Sequence, residues 1–220
     1  MLEGSSLHQI NTELKRIGLL ADSHGDVKAT EESIRVLRSR GVDVIVHLGD
    51  FGDSVRLDLL AAMIDILERN DVLAVMGNND FMVGNMLAEE AYLTYHERDR
   101  MAAFIKEIPM MRVLEDVCFA HSLPYDNFKA CYEPIDNGST ARANQLFRDM
   151  GYRVLFCGHS HLPVLFRLHT EKVTREIVTP GQPLSIDFSD RYIMVVGAVE
   201  EGECALFDRE SSLYERIRLF

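Results

Sequence analysis

The stretch Arg16-Ile-Gly-Leu-Leu-Ala-Asp-Ser-His-Gly25 decides the fold. Its first six residues are mostly apolar, are too few for a helix and run into polar residues, which predicts a buried strand over Arg16–Ala21. Asp26 then stands where a helix N-cap belongs, and Gly41 fits the end of that helix after Arg40. The opening segment therefore predicts a strand, a polar turn and a helix.

The same alternation continues in the following segment. Asp43–Leu48 and Val72–Met76 are two further short apolar runs that predict buried strands. The segment between them carries apolar residues at intervals of four, the spacing of one helix face, at positions Val55, Leu59, Met63 and Leu67. Strands that alternate with helices in this way form a parallel sheet with right-handed crossovers. We therefore predict an α/β fold.

The rest of the chain is predicted to supply more helices and a second sheet. Met82–Ile108 mixes charged and apolar residues and predicts one or two helices, and Val113–His121 predicts two short strands. A loop and a helix that ends near Met150 precede a buried strand over Arg153–Cys157. From Val164 onward, alternating apolar and polar runs predict antiparallel strands that complete the second sheet.

Composition limits the class of protein. Of the 220 residues, 47% are hydrophobic and 26% charged, which excludes a disordered or fibrous chain. The net charge of −12 predicts repulsion from nucleic-acid polymers and anionic membranes. No apolar window approaches the length of a membrane helix, no signal-peptide pattern stands at the N-terminus, and the four cysteines are widely spaced. We expect a cytoplasmic protein with reduced thiols, formed by one domain over residues 1–220. The sequence leaves open whether residues 1–15 form a flexible N-terminal extension or order against the domain.

Polar residues follow the first three predicted strands. Asp22 and His24 come after the first strand, Asp50 after the second and Asn78 after the third. Asp50 comes 28 residues after Asp22, and Asn78 comes 28 residues after Asp50. This interval is close to the length of one strand-helix-strand repeat. This spacing brings them to the same carboxyl edge of the sheet, where ligands bind in open α/β folds.

Three more histidines end later strands. His121 ends one apolar run, and His159 and His161 follow another. In extended backbone, residues i and i+2 point the same way, so Asp22 with His24, and His159 with His161, are each predicted to converge on one spot. Two carboxylates, one amide and four imidazoles suit Mn, Fe, Zn or, less well, Mg. Seven ligands are too many for one ion and suit two ions roughly 3.5–4 Å apart.

These residues stand in five ordered blocks, namely D-x-H at Asp22, G-D at Asp50, G-N-x-D at Asn78, a lone histidine at His121 and G-H-x-H at His159. The series resembles that of the calcineurin-like metallophosphoesterase superfamily, over roughly Ile17–Pro183. The short chain without large insertions is most similar to the small bacterial and archaeal phosphodiesterase branch. The resemblance implies a four-layer α/β/β/α sandwich, in which two facing mixed sheets are flanked by helices and the metals lie at the carboxyl edge.

The resemblance also implies a ligand set. The first metal would be held by Asp22, His24, Asp50 and His161. The second would be held by Asp50, which bridges the two, and by Asn78, His121 and His159. We favour Mn²⁺, with Fe, Zn, Ni or Mg as alternatives. A hydroxide that bridges the metals would attack phosphorus in line with the leaving oxygen, because bound metal lowers the pKa of water to about 7.

The chain departs from the family pattern after Asn78. Most members have a histidine next, which protonates or stabilises the leaving group, and an aspartate that orients it. Here the two candidate catalytic positions are Asn79 and Asp80. An amide donates a hydrogen bond but supplies no proton. We therefore expect diesters, or substrates with a good leaving group, rather than alkyl monoesters. A milder departure is Thr179–Gln182, where this branch often has Asn-Pro-Gly-Ser.

Several interpretations stay open. The leading prediction is a dinuclear metal-dependent phosphodiesterase that acts on a small phosphoester, and a phosphomonoesterase or nucleotidase is the alternative within the same chemistry. An inert metal-binding scaffold is the alternative from another class, because the superfamily includes a protein-binding retromer subunit of similar size. We expect neither a nucleic-acid polymer nor a membrane as partner, and the sequence allows a homo-oligomer.

Two local features also have alternative interpretations. The loop over residues 122–137 carries Tyr125, Phe128, Lys129 and Tyr132. These side chains either form a substrate rim or cover the edge of the core. His47 lies inside a predicted strand, where a core histidine with a hydrogen-bond partner is favoured over a metal ligand.

Overall fold

The computed structural model describes residues 8–87 and 94–219. These residues form thirteen strands and five α-helices. The strands are β1 (His8–Gln9), β2 (Arg16–Leu20), β3 (Val44–His47), β4 (Leu73–Ala74), β5 (Met111–Leu114), β6 (Val117–Ala120), β7 (Val154–Cys157), β8 (Val164–His169), β9 (Lys172–Ile177), β10 (Leu184–Ser185), β11 (Arg191–Val195), β12 (Glu203–Asp208) and β13 (Leu213–Arg218). The helices are α1 (Val27–Ser39), α2 (Leu60–Arg69), α3 (Asn78–Met86), α4 (Tyr95–Lys106) and α5 (Ala141–Asp149). Short 3₁₀ helices cover Leu57–Leu59, Phe128–Tyr132 and Val199–Glu201.

The strands form two mixed sheets. The six-stranded sheet has the order β10-β13-β12-β2-β3-β4, and the seven-stranded sheet has the order β1-β5-β6-β7-β11-β8-β9. The predicted parallel core is present in the first, where β2 pairs with β3 and β3 with β4, all in parallel. In the second, β6, β7 and β11 are parallel neighbours. The carboxyl ends of both parallel sets provide the edge that carries the polar turns.

Alternation along β2 explains why the sheets stack. Ile17 and Leu19 pack between the two sheets, whereas Leu20 packs against the helices on the outer face. Phe119 and Phe156 meet them from the other sheet. Helices α1 to α4 cover the six-stranded sheet, and α5 covers the seven-stranded sheet. The predicted four-layer α/β/β/α sandwich is therefore confirmed.

The last strands join a different sheet from the one predicted. Strands β8, β9 and β11 do complete the second sheet, but β12 pairs with β2 and β13 with β12, in the first sheet. The reason is that β12 is apolar on both faces. Cys204 and Leu206 face the helices, while Ala205 and Phe207 face the other sheet. Such a strand is stable only inside a sheet that is covered on both sides.

The N-terminal segment packs against the domain from residue 8 onward. Strand β1 pairs in parallel with β5, and Ile10 is buried, so of the two arrangements left open for residues 1–15 the described part is the ordered one. Residues 1–7 lie outside the described residues, as do 88–93 of the predicted helical region Met82–Ile108. That region contains two helices, α3 and α4, in its described part. None of the helices in the described residues has both the length and the apolar character that crossing a membrane requires.

The predicted helix face that starts at Val55 begins later than expected. Val55 is 85% exposed, and regular α-helix starts only at Leu60, after the 3₁₀ turn Leu57–Leu59. Asp53 explains the delay, because its carboxylate accepts a hydrogen bond from the Val55 backbone and pairs with Arg56. This local turn competes with the helix for the backbone groups.

Candidate metal centre

All seven predicted ligands lie at one edge of the sandwich. Asp22 and His24 follow β2, Asp50 follows β3, Asn78 begins α3 after β4, His121 follows β6, and His159 and His161 follow β7. Each strand ends at this edge, and each turn places a side chain above it. With Asp53, Asn79 and Glu200, most of them line an open cleft of about 390 Å³.

The side chains form two groups of three that lie next to each other. In the first group, Asp22, His24 and His161 have donor atoms within 4.8 Å of one another. The Nε2 atoms of His24 and His161 face each other at 3.2 Å, and His161 Nε2 lies 3.7 Å from Asp22 Oδ1. Lone pairs that face each other at this distance repel, and a cation between them removes the repulsion.

The second group contains Asp50, His121 and His159. His121 Nε2 lies 3.1 Å from His159 Nδ1 and 3.0 Å from the side-chain oxygen of Asn78, so the amide joins this group. The other ring nitrogen of His121 donates to the backbone carbonyl of Leu48 at 2.9 Å. That bond fixes the tautomer and leaves the Nε2 lone pair free for a ligand role.

Asp50 connects the two groups. Its Oδ2 lies 3.5 Å from His121 Nε2 and 3.9 Å from His24 Nε2. A single carboxylate oxygen within 4 Å of an imidazole nitrogen from each group is placed to bridge two ions. The oxygen and nitrogen donors present fit divalent cations such as Mn²⁺, Fe²⁺ or Zn²⁺.

The backbone at the ligands is unusual. Asp22, His24, Asp50, His159 and His161 all have positive φ, between 43° and 70°. This left-handed region is disfavoured for residues with a Cβ, and such strain gathers at functional sites. The prediction that extended backbone aims His159 and His161 at one spot is wrong, because the left-handed turns send His159 to the second group and His161 to the first. Asp22 and His24 do converge, through a left-handed turn rather than an extended segment.

The comparisons with known proteins agree with this geometry. Residues 16–202 match the family model of the calcineurin-like phosphoesterase superfamily domain. The chain belongs to this superfamily. No curated protein sequence matches the chain.

Solved structures of two bacterial proteins share the fold. A metallophosphoesterase from Sphaerobacter thermophilus is 22% identical, with a TM-score of 0.70 over 94% of this chain and 88% of that one. The protein TT1561 of Thermus thermophilus is 14% identical, with a TM-score of 0.52 over 94% of this chain and 100% of that one. At these identities the likeness concerns the fold alone.

Burial tunes the charges of this calcineurin-like centre. Burial raises the pKa of the Asp22 carboxyl well above its usual value, and the neighbouring Asp50 carboxylate raises it further. Burial lowers the pKa of His159 to about 4 and also lowers the pKa of His121. Both imidazoles are thus neutral at pH 7 and keep a lone pair for a metal. The buried carboxyl favours a proton or, equally, a cation beside it.

Two glycines let the ligand loops approach each other. A Cβ on Gly158 would lie 2.6 Å from Asp22 Oδ2, and a Cβ on Gly77 would overlap the Asp50 carboxylate. Only glycine allows these approaches. In the same place the backbone N–H of His159 donates to both oxygens of Asp22, at 2.9 and 3.1 Å. The loop after β7 therefore positions the first carboxylate.

The two candidate catalytic residues both contact Asp50, and of the two only Asn79 lines the cleft. The side-chain amide of Asn79 donates to Asp50 Oδ2 at 2.8 Å. Asp80 is fully buried and accepts backbone N–H bonds from Asp50, Gly52 and Gly77, at 2.7 to 2.9 Å. Burial and the charge of Asp50 raise the pKa of Asp80 to about 8, against the effect of those three donors. Asp80 is out of reach of a substrate and acts as a positioning residue for the Asp50 loop.

Glu200 is a member of this calcineurin-like site that sequence reasoning missed. Its Oε1 lies 3.3 Å from His161 Nδ1 and 3.9 Å from His24 Nε2. A carboxylate on the far nitrogen of a histidine orients the ring and leaves Nε2 for a metal. Glu200 comes 39 residues after His161, in the 3₁₀ helix Val199–Glu201, and its backbone N–H bonds the Asp22 carbonyl at 3.3 Å. In the sequence, Glu200 is marked only by the acidic pair Glu200-Glu201. Such a pair does not identify a site residue, because glutamates are common on protein surfaces.

Proposed function

We propose that this calcineurin-like phosphoesterase is a dinuclear metal-dependent hydrolase that prefers phosphodiesters. The observation that carries the proposal is the position of Asp50 Oδ2, within 4 Å of an imidazole nitrogen of His24 and of His121. One oxygen between two groups of donors is the arrangement of two-metal phosphoryl-transfer sites. The substrate would be a small phosphoester rather than a nucleic-acid polymer, because the chain carries a net charge of −12.

The chain's own residues would divide the work as follows. The first cation would be held by Asp22, His24, His161 and Asp50, and the second by Asp50, Asn78, His121 and His159. Two such cations, with Mn²⁺ favoured, supply Lewis-acid charge at the phosphate and lower the pKa of a bound water. Asn79 and the N–H of His159 would keep the two carboxylates oriented, so that little reorganisation is needed when a phosphoester binds.

The preference for diesters rests on Asn79. Its amide supplies no proton, and it already donates to Asp50. An alkyl monoester needs a proton on its leaving oxygen, whereas an aryl or otherwise acidic leaving group departs as the anion. In the described residues, no histidine other than the four predicted ligands lines the cleft. A substrate that needs little help from a general acid is therefore favoured.

The test is hydrolysis of bis-p-nitrophenyl phosphate and p-nitrophenyl phosphate by metal-stripped protein, with and without Mn²⁺. We expect Mn²⁺-dependent cleavage, faster for the diester, and loss of it in Asp50→Asn. Asp65→Asn is the matched control, because Asp65 is an exposed carboxylate on α2 that pairs with Arg100. Equal or faster cleavage of the monoester would overturn the diester preference. No cleavage of either ester would contradict the proposal and favour an inert scaffold, and full activity in Asp50→Asn would contradict the bridging role of Asp50.

A further inference from the structure

Exposed apolar side chains occur next to the candidate metal centre. Seven large apolar residues are strongly exposed in the described part of the chain. Of these, Leu162 directly follows the predicted ligand His161, Met82 lies four residues after Asn78 on α3, and the Tyr132 hydroxyl donates to the Asn78 carbonyl. Exposed apolar surface beside a cleft marks a binding site more often than scattered residues do. The side chains that line the cleft itself are polar.

The most ordered part of this rim is a pair of stacked rings. Phe81 and Phe128 have ring centroids 5.1 Å apart and planes within 8° of parallel. Phe81 is half-buried in α3, whereas Phe128 remains 47% exposed. One face of the Phe128 ring is therefore supported from below while the residue stays open to the solvent. Such a ring offers a rigid surface on which another flat ring can stack.

The pair is tied directly to the metal ligands. Phe81 lies three residues after Asn78 on the same helix, roughly 4.5 Å along its axis. Phe128 begins the 3₁₀ helix that ends at Tyr132, roughly 8 Å further along. The Tyr132 hydroxyl donates to the Asn78 carbonyl at 3.5 Å. The stacked rings are thus joined to the second ligand group by α3 on one side and by the 3₁₀ helix of Tyr132 on the other.

We propose that Phe128, supported by Phe81, determines specificity by stacking on a planar aromatic or heteroaromatic ring of the substrate, such as a nucleobase. The ring would belong to the ester group that does not leave. This inference rests on the proposed phosphodiesterase activity and names the class of diester. The two interpretations of the loop over residues 122–137 divide by residue, since Tyr125 packs against the core whereas Phe128 stays 47% exposed.

The test compares two diesters with the same leaving group, p-nitrophenyl thymidine 5′-phosphate and methyl p-nitrophenyl phosphate, with the Mn²⁺-loaded protein. We expect wild type to prefer the thymidine ester in kcat/KM by roughly 5- to 150-fold, the range for stacking of one base on one aromatic ring. Phe128→Ala should remove most of this preference, and Phe128→Trp should keep it. Tyr95→Ala is the matched control, since Tyr95 is an exposed aromatic residue at the start of α4 and should leave the ratio unchanged.

The outcomes separate the two proposals. An equal kcat/KM for the two esters in wild type, or an undiminished preference in Phe128→Ala, would overturn the stacking role and leave the phosphodiesterase intact. If wild type cleaves neither ester, the proposed activity fails, and calorimetric binding of adenosine 5′-monophosphate and ribose 5-phosphate decides the stacking role. Tighter binding of the nucleotide that is lost in Phe128→Ala supports it. Equal or undetectable binding of the two compounds refutes it.

Discussion

Asn79 binds both carboxylate oxygens of Asp50. Its backbone N–H donates to Oδ1 and its side-chain amide donates to Oδ2, each at 2.8 Å. Asp50 Oδ2 lies within 4 Å of the Nε2 atoms of His24 and His121, one from each ligand group, so the orientation of its oxygens affects both groups. The residue that departs from the family pattern therefore supports Asp50, the proposed bridging ligand, a role that its amide can fill and for which no proton transfer is needed.

Removal of this support should weaken metal binding. We expect Asn79→Ala to lower the affinity for Mn²⁺ about 10- to 100-fold, the usual cost of losing a hydrogen bond to a metal ligand. Ser54→Ala is the matched control, because the Ser54 hydroxyl reaches Asn79 Oδ1 only at 3.4 Å and should matter little. Calorimetric titration of metal-stripped protein measures both. An unchanged affinity in Asn79→Ala would show that Asp50 is held by its backbone contacts alone.

Glu200 should contribute to the first metal position. Glu200→Gln keeps the shape but removes the charge that faces His161 Nδ1 at 3.3 Å. We expect a loss of Mn²⁺ affinity of about tenfold or more in one of two binding steps, because the ring is then less firmly oriented. Glu201→Gln changes the exposed neighbour on the same 3₁₀ helix and should have no effect. Equal titration curves for the two variants would remove Glu200 from the site.

The close approach of Gly158 to the Asp22 carboxylate allows a steric test of the first metal position. In Gly158→Ala, the new Cβ would meet Asp22 Oδ2 at 2.6 Å, well inside van der Waals contact. The carboxylate must then move, and we expect loss of tight Mn²⁺ binding at the first position with a clear drop in thermal stability. Gly151→Ala, where nothing lies within 4 Å of the added Cβ, is the control. A Gly158→Ala protein that binds two Mn²⁺ ions normally would contradict the assigned role of Asp22.

Much of this site can be predicted from the sequence, and the part that cannot be predicted has a physical reason. The even spacing of Asp22, Asp50 and Asn78 predicts a common sheet edge, which the fold confirms. The same reasoning cannot divide His159 from His161, because that division depends on left-handed backbone that neither residue type signals. The resemblance to the family, which assigns them to different metals, agrees with the geometry where local periodicity does not.

The second limit to prediction from the sequence is the pairing of strands that lie far apart along the chain. Strand β12 could join either sheet on its apolar pattern, and only its pairing with β2 fixes the choice. That pairing also determines where the preceding turn passes, and so brings Glu200 to His161. A residue that reaches a site through tertiary packing, with no motif around it, is not visible in one sequence.

His47 gives a prediction for pH. It is fully buried, its Nε2 lies 2.8 Å from the Ser23 hydroxyl, and burial lowers its pKa to about 3. Because the unfolded value is 6.5, the unfolded state binds the proton more tightly. The stability that neutral His47 contributes is full above pH 6.5 and falls as the pH drops towards 3.

The size of the effect follows from linkage. Between pH 7.5 and 5.5, this one group should lower the free energy of unfolding by about 1.4 kcal/mol. Urea unfolding of metal-stripped protein at the two pH values measures the change, and His47→Gln should lose less by about that amount. His159, whose pKa burial lowers to about 4, adds a similar slope in both proteins and cancels in the comparison. Equal losses in wild type and His47→Gln would show that His47 carries a proton in the folded state.

The central claim is that two ions are held side by side with Asp50 between them. Its most direct test is the number and magnetic coupling of Mn²⁺ ions bound to metal-stripped protein, by elemental analysis and electron paramagnetic resonance. We predict two tightly bound ions per chain with an exchange-coupled signal in wild type. Asp50→Asn should retain at most one, with the signal of an isolated ion. A single isolated Mn²⁺ in wild type, or two coupled ions in Asp50→Asn, would contradict the account.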